Sequence, residues 1–211
     1  MKNVLLTGVS KGLGLQLAET LLQQDYKVYA VSRSTNEHFD NLRALYKEKL
    51  IYIPFNLEDT EKIHEVIFKS VLDYQTPLFA YINNAAVAYD DIITNMNYER
   101  LNKMFTVNVF SPLMITKYAI RNMLFNNVKG NIVHISSISV HTGYKGLSMY
   151  AASKGALEAF SKNTAREWGE KGIRSNCIVA GFMETEMSSK LSDDDRRGFI
   201  KETHLKILPI S

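Results

Sequence analysis

Tyr150 and Lys154 stand four residues apart in a stretch of helical period, so both side chains share one helix face and can reach a single site. A free phenol has a pKa of about 10, too high to exchange protons efficiently at neutral pH. An ammonium beside it favours the phenolate, and the spacing predicts that Lys154 lowers the pKa of Tyr150. Ser137, directly after an apolar run, adds a hydroxyl upstream of this pair. Phenol, ammonium and hydroxyl together suit acid–base chemistry.

A second cluster, Thr7-Gly8-Val9-Ser10-Lys11-Gly12-Leu13-Gly14, follows the apolar run Val4-Leu5-Leu6 and leads into helical period. Glycines permit a tight turn and close backbone approach, and a helix N-terminus offers free N–H groups to a pyrophosphate. Three such glycines also suit a mobile turn; the strand before and the helix after favour binding. One strand later, Val31-Ser32-Arg33-Ser34 offers no acid until Glu37, where NAD-binding sites usually place one to hold the ribose hydroxyls. Arg33 with Lys11 suits an extra phosphate instead, so the pair predicts NADP(H), against the plainer reading of two solvated surface charges.

These groups need a scaffold that brings loops together. Apolar runs rich in β-branched residues predict strands at Asn3–Thr7, Lys27–Ser32, Ile51–Phe55, Phe79–Asn83, Asn131–Ser136 and Arg174–Val179. Helical period predicts helices near Gly14–Gln24, Glu37–Lys47, Asp59–Asp73, Asn97–Asn126, Met149–Glu170 and Ser192–His204. Leu17, Leu21 and Leu22 form the apolar face of the first helix, and Ile63, Val66, Ile67 and Val71 that of the third. Regular β-α alternation with near-continuous apolar strands predicts a doubly wound α/β domain: a parallel, Rossmann-like sheet of about six strands with helices on both faces. In such sheets ligands bind outside the carboxyl ends of the strands, where both clusters fall.

Composition narrows the function classes. The 211 residues carry 25 Lys+Arg against 22 Asp+Glu, a net charge of +3, and 45% are apolar, enough for one core and one domain. Both signs mix along the chain, as at Glu158, Lys162, Arg166, Glu167, Glu170 and Lys171, which reads as solvated surface and argues against nucleic acid. Cys177 is the single cysteine, so an intrachain disulfide framework and a multi-cysteine metal cluster are excluded, and its apolar neighbours predict a buried strand thiol. No His/Asp/Glu spacing suggests a metal site; His134 reads as a strand residue and His141 as a loop residue near the substrate entrance. The N-terminus lacks a signal-peptide pattern, and no apolar stretch approaches the ~20 residues of a membrane span, which predicts a cytoplasmic protein with no membrane partner.

Thr7–Gly14, Asn83-Asn84-Ala85-Ala86, Asn108, Ser137, Tyr150, Lys154 and Gly181 with Thr185, in that order, resemble the motifs of the short-chain dehydrogenase/reductase family over the entire chain. The resemblance implies NADP(H)-dependent interconversion of a ketone and a secondary alcohol. Tyr150 is then the general acid, Lys154 the residue that lowers its pKa and holds the nicotinamide ribose, Ser137 the one that orients the carbonyl, and Asn108 the anchor of a proton-relay water. It also implies cofactor contacts from Thr7, Gly8, Ser10, Lys11, Gly12, Leu13 and Gly14, and from Arg33, Asn56, Leu57, Asn84, Ala85, Gly181, Met183 and Thr185. Ala86 and Ala180 stand where the family has glycine and proline, which implies a less rigid loop after the sixth strand.

Within the family, Gly181–Met187 and Leu191–Gly198 are most similar to the 3-oxoacyl-[acyl-carrier-protein] reductases of fatty-acid synthesis. Lys129 and Lys171 are then the candidate contacts for an acidic carrier, and Tyr144, Met149 and Phe182 line the substrate pocket. A reductase of sugars, steroids or other small carbonyls is the alternative. Relatives continue past Ile207-Leu208-Pro209-Ile210-Ser211 through one more helix and a strand, so the resemblance implies a chain lacking the final strand, with the sixth exposed at the edge. Relatives also assemble through the long helices, which implies a homodimer or homotetramer. A truncated, non-catalytic nucleotide-binding protein is the alternative of another class; it predicts a broken catalytic set, whereas Asn108, Ser137, Tyr150 and Lys154 are all present.

Overall fold

The computed structural model describes residues 1–181 and the backbone of Lys206–Ile207. Seven strands form one sheet, β1 (Asn3–Thr7), β2 (Lys27–Ser32), β3 (Leu50–Pro54), β4 (Leu78–Asn83), β5 (Asn131–Ser137), β6 (Arg174–Ala180) and β7 (Lys206–Ile207), in the order β3-β2-β1-β4-β5-β6-β7. The first six pair in parallel, as the sequence predicts. The order reverses between β1 and β4, which opens a crevice above their carboxyl ends.

Helices α1 (Gly12–Gln23) and α2 (Glu37–Tyr46) cover one face. The other carries α3 (Tyr98–Phe105), α4 (Ser111–Phe125), the short α5 (Ser139–Thr142) and the long α6 (Ser148–Trp168). Because strand side chains alternate, adjacent Leu5 and Leu6 of β1 enter different cores. Leu6 packs with Ala18, Leu22, Val28 and Phe39, whereas Leu5 packs with Tyr81, Ile115, Ala119 and Ile132. Both residues are fully buried, so a charge at either position would break a core. Asn36 and Asn97 start α2 and α3 by accepting the backbone N–H groups of Phe39 and Arg100.

Two helices differ from their sequence pattern. The segment expected as one helix over Asp59–Asp73 is a tight turn, Thr60–Lys62, followed by a wide one, His64–Lys69, closed by Ser70 N–H to Glu65 O and Leu72 N–H to Ile67 O. Widening rotates the buried face: Ile63 and Ile67 remain inside, but Phe68 and Leu72 join them in place of Val66 and Val71, which are half-buried. The helix expected over Asn97–Asn126 is likewise interrupted by a wide turn, Thr106–Phe110, between α3 and α4. That turn buries Val107, Asn108 and Val109 in succession. A regular helix, advancing about 100° per residue, cannot do so against a single surface.

The edge also departs from expectation. The backbone of Lys206–Ile207 pairs antiparallel with Ile178 and Val179, so β6 is partly covered rather than bare. The helix expected at Ser192–His204 lies outside the described residues. Cys177 is buried on β6, as expected, and burial pushes its thiol up to about 11. No helix among the described residues is long and apolar enough to cross a membrane.

Candidate active site

A cavity of about 470 Å³ fills the crevice and runs from the glycine loop and the end of β2 to the start of α6. Its walls include Gly8, Ser10, Lys11, Gly12, Leu13 and Gly14 at one end, and Ser137, Tyr150 and Lys154 at the other. Thus one continuous space joins the two clusters that the sequence singles out.

Two of the loop's glycines, Gly8 and Gly14, leave no room for a side chain. Gly8 has φ +75°, and a Cβ there would lie 2.7 Å from Ala85 Cα; a Cβ on Gly14 would lie 2.0 Å from Gly8 O. Asn84 locks this arrangement by donating its amide to Thr7 O and Gly8 O, both at 3.0 Å. Thr7 is fully buried and does not line the cavity, contrary to the cofactor contact expected of it. Its hydroxyl accepts the backbone N–H groups of Asn84 and Ala85, both at 3.2 Å, so it stitches β1 to the loop after β4. Arg33, Asn56, Leu57, Ala85 and Gly181 all reach the cavity. Glu58, the acid nearest Asn56 in the chain, is paired with Lys103 at 3.0 Å. A backbone cradle with the cations Arg33 and Lys11 on the same wall fits a dinucleotide diphosphate that carries an additional phosphate. Met183 and Thr185 lie outside the described residues, as does Phe182.

At the other end, Lys154 is 2% exposed and its Nζ donates to Ile135 O at 2.8 Å. Burial pushes this ammonium down to about 8. Tyr150 is not lowered as expected: its phenol is pushed up to about 12, first by burial and then by the charge of Asp90. The Nζ of Lys154, committed to Ile135 O, stands 5.7 Å from the centroid of the Tyr150 ring, and desolvation of the phenolate outweighs it. The phenol therefore holds its proton at neutral pH, the state an acid needs.

Asn108 is fully buried away from the cavity. Its amide accepts Val87 N–H at 2.8 Å and donates to Val87 O at 2.9 Å and to Ser153 Oγ at 3.1 Å. This side chain clamps the loop after β4 to α6, and both of its amide protons are committed within the protein. The expected pocket residue Met149 is instead 4% exposed in a separate cluster with Tyr89 and Met104, and neither it nor Tyr144 lines the cavity. Ile138, Leu147 and Asp90 line it in their place.

Sequence reasoning also misplaces Glu158 as surface charge. It is 6% exposed, accepts the Ser136 hydroxyl at 2.5 Å and meets His141 Nε2 at 3.1 Å. His141, expected in a loop, sits on α5 as its partner. Glu158 stands one helical turn beyond Lys154, a position that could have marked it as facing the sheet.

The buried Lys154 has a measurable cost. Lys154→Met is expected to abolish activity yet raise the melting temperature at pH 7, because the folded state no longer holds a desolvated ammonium. The wild-type penalty is full below pH about 8 and fades as pH rises from there towards the ordinary lysine range. Melting curves across that interval should therefore converge; a constant gap would place the effect in packing.

Residues 2–196 match the family model described as short chain dehydrogenase. The chain is 33% identical over 204 residues to the 3-oxoacyl-[acyl-carrier-protein] reductase of Escherichia coli strain K12, covering 95% of this chain and 81% of the relative. It is 31% identical over 201 residues to the L-xylulose reductase of Caenorhabditis elegans, covering 93% and 78%. Among solved structures, ElxO with NADP bound superimposes with a TM-score of 0.81 at 31% identity, covering 92% of this chain and 79% of that one. With its glycine cradle and its Ser137, Tyr150 and Lys154 on one cavity, the chain belongs to the short-chain dehydrogenase/reductase family of nicotinamide-dependent oxidoreductases.

Proposed function

We propose that this protein reduces a ketone to a secondary alcohol with NADPH, and that its substrate is a 3-oxoacyl thioester. The observation that carries the reaction class is the single cavity shared by the glycine cradle, Arg33 and the Ser137, Tyr150 and Lys154 side chains. The thioester is supported by the 33% identity to the Escherichia coli reductase.

The glycine cradle, Arg33 and Lys154 would hold a nicotinamide dinucleotide, which would supply the hydride. The protein supplies the rest. Tyr150 gives its phenolic proton to the carbonyl oxygen as the C=O bond becomes C–OH, and Ser137 donates a hydrogen bond to the same oxygen. Lys154 balances the phenolate that remains until a proton returns from solvent. The raised phenol pKa keeps the acid protonated at neutral pH, and the Lys154 ammonium 5.7 Å from the ring centroid eases release of that proton.

The carrier expectation meets a geometric difficulty. Lys129 and Lys171 precede β5 and β6, and the stem of Lys129 packs on Gly172. They sit together at the amino ends of the strands, while the cavity opens at the carboxyl ends. The seven residues of β5 alone span ~20 Å between them. This separation favours a second reading, reduction of a small free carbonyl, which the L-xylulose reductase similarity also supports. Self-association through the α3–α4 and α6 face is part of the proposal, with Tyr98 and Phe110 standing 73% and 48% exposed on the first of these.

The deciding assay follows NADPH oxidation with acetoacetyl-CoA, L-xylulose and a small diketone in parallel. A kcat/KM for the thioester at least about tenfold above the others, some 1.4 kcal/mol, supports the first reading. Sugar or diketone preferred by that margin supports the second, and no turnover of any overturns both.

A further inference from the structure

Ser137 is held by a neighbour that the resemblance does not bring in. Ser139, two residues on, opens α5 and is 3% exposed. Its backbone N–H donates to Ser137 Oγ at 3.2 Å, and its hydroxyl donates to the same oxygen at 2.9 Å. A serine oxygen has two lone pairs and one proton. Ser139 occupies both lone pairs, and a backbone N–H can only donate, so Ser137 is pressed into the donor role. Ser137 lines the cavity and Ser139 does not.

We propose that Ser139 is a positioning residue that fixes the Ser137 hydroxyl as a hydrogen-bond donor towards the substrate oxygen. The inference rests on the reading of this cavity as a carbonyl-reducing site. During reduction that oxygen gains negative charge, so a pre-aimed donor stabilises the transition state more than the bound ketone. An O–H that itself receives a hydrogen bond is a better donor, which adds to the effect.

The surroundings hold Ser139 in place from both sides. Ile138 N–H donates to Ala180 O at 2.9 Å, tying the start of the turn to the end of β6. Ser136 and His141 meet Glu158 from either side of the Ser137–Ser139 pair. Glu158 belongs to α6, the helix that carries Tyr150 and Lys154. The donor Ser137 and the acid Tyr150 are thereby referred to one rigid element, as a shared reaction centre requires.

A double-mutant cycle tests this on the full chain, using the ketone that the wild type turns over best. Ser139→Ala should lower kcat about five- to tenfold, the effect of one neutral hydrogen bond, with KM for the ketone and the Kd for NADPH within about twofold. In a Ser137→Ala background the same change should cost nothing further, because its target is gone. Ser139→Thr, which keeps the hydroxyl, should recover most of the rate. If Ser139→Ala does not fold, Ser139→Cys replaces it in the cycle, its weaker S–H donor giving a smaller loss of the same pattern. An unchanged kcat, or an equal loss with and without Ser137, overturns the proposal while ketone reduction by the wild type stands. A wild type that reduces no ketone overturns the parent reading and this inference with it.

Discussion

Tyr150→Phe is expected to lower kcat for ketone reduction by at least about 10³-fold and to leave NADPH affinity within about twofold of wild type. Tyr150 lines the cavity, and the substitution keeps the aromatic ring that packs against Tyr89, Met104 and Met149. Lys154 keeps its bond to Ile135 O, and the glycine cradle at the far end of the cavity is untouched. What disappears is the proton donor that the proposed reaction assigns to the carbonyl oxygen. Its proton is secure up to about pH 12 because burial and Asp90 both disfavour the phenolate. Fluorescence titration with NADPH and steady-state rates on one preparation check both halves. A variant retaining most of its turnover would refute the acid, and one that loses NADPH would move Tyr150 to the binding surface.

What was legible from the sequence is what is local. The glycine spacing in Thr7–Gly14, the four-residue step from Tyr150 to Lys154 and the apolar runs of six strands are short-range patterns, and each occupies the place expected of it. What was not legible depends on partners distant in the chain. Thr7 reads as a cofactor contact until Asn84 and Ala85, brought in by β4, claim its hydroxyl. Glu158 reads as solvated charge until β5 and α5 place Ser136 and His141 against it. The same holds for the lysine effect on Tyr150. Spacing puts an ammonium near a phenol, but only the fold reveals how deeply both are buried, and burial decides the sign. The wide turns at His64–Lys69 and Thr106–Phe110 have no signal in a 3.6-residue periodicity. They rest on the fit of these helices to the sheet.

Arg33→Ala is expected to weaken NADPH binding by about 10- to 100-fold while changing NADH affinity less than about twofold. The turn that presents Arg33 is fixed independently of its side chain. Ser32 Oγ donates to Ser34 O at 2.7 Å, and Ser32 O accepts Phe55 N–H at 3.0 Å and the Tyr52 hydroxyl at 3.2 Å. Truncation therefore leaves the cavity wall standing and removes only the guanidinium. A charge-assisted hydrogen bond contributes about 1.5–3 kcal/mol, and each 1.4 kcal/mol is tenfold in affinity, which gives the expected range. NADH lacks the additional 2′-phosphate that this group would meet, so its loss should be small. Because Arg33 is exposed, raising the salt concentration should shrink the wild-type preference towards that of the variant. Side-by-side titrations of both cofactors at two ionic strengths read all of this. Equal losses for NADPH and NADH would assign Arg33 to the shared part of the nucleotide and overturn its role at the additional phosphate.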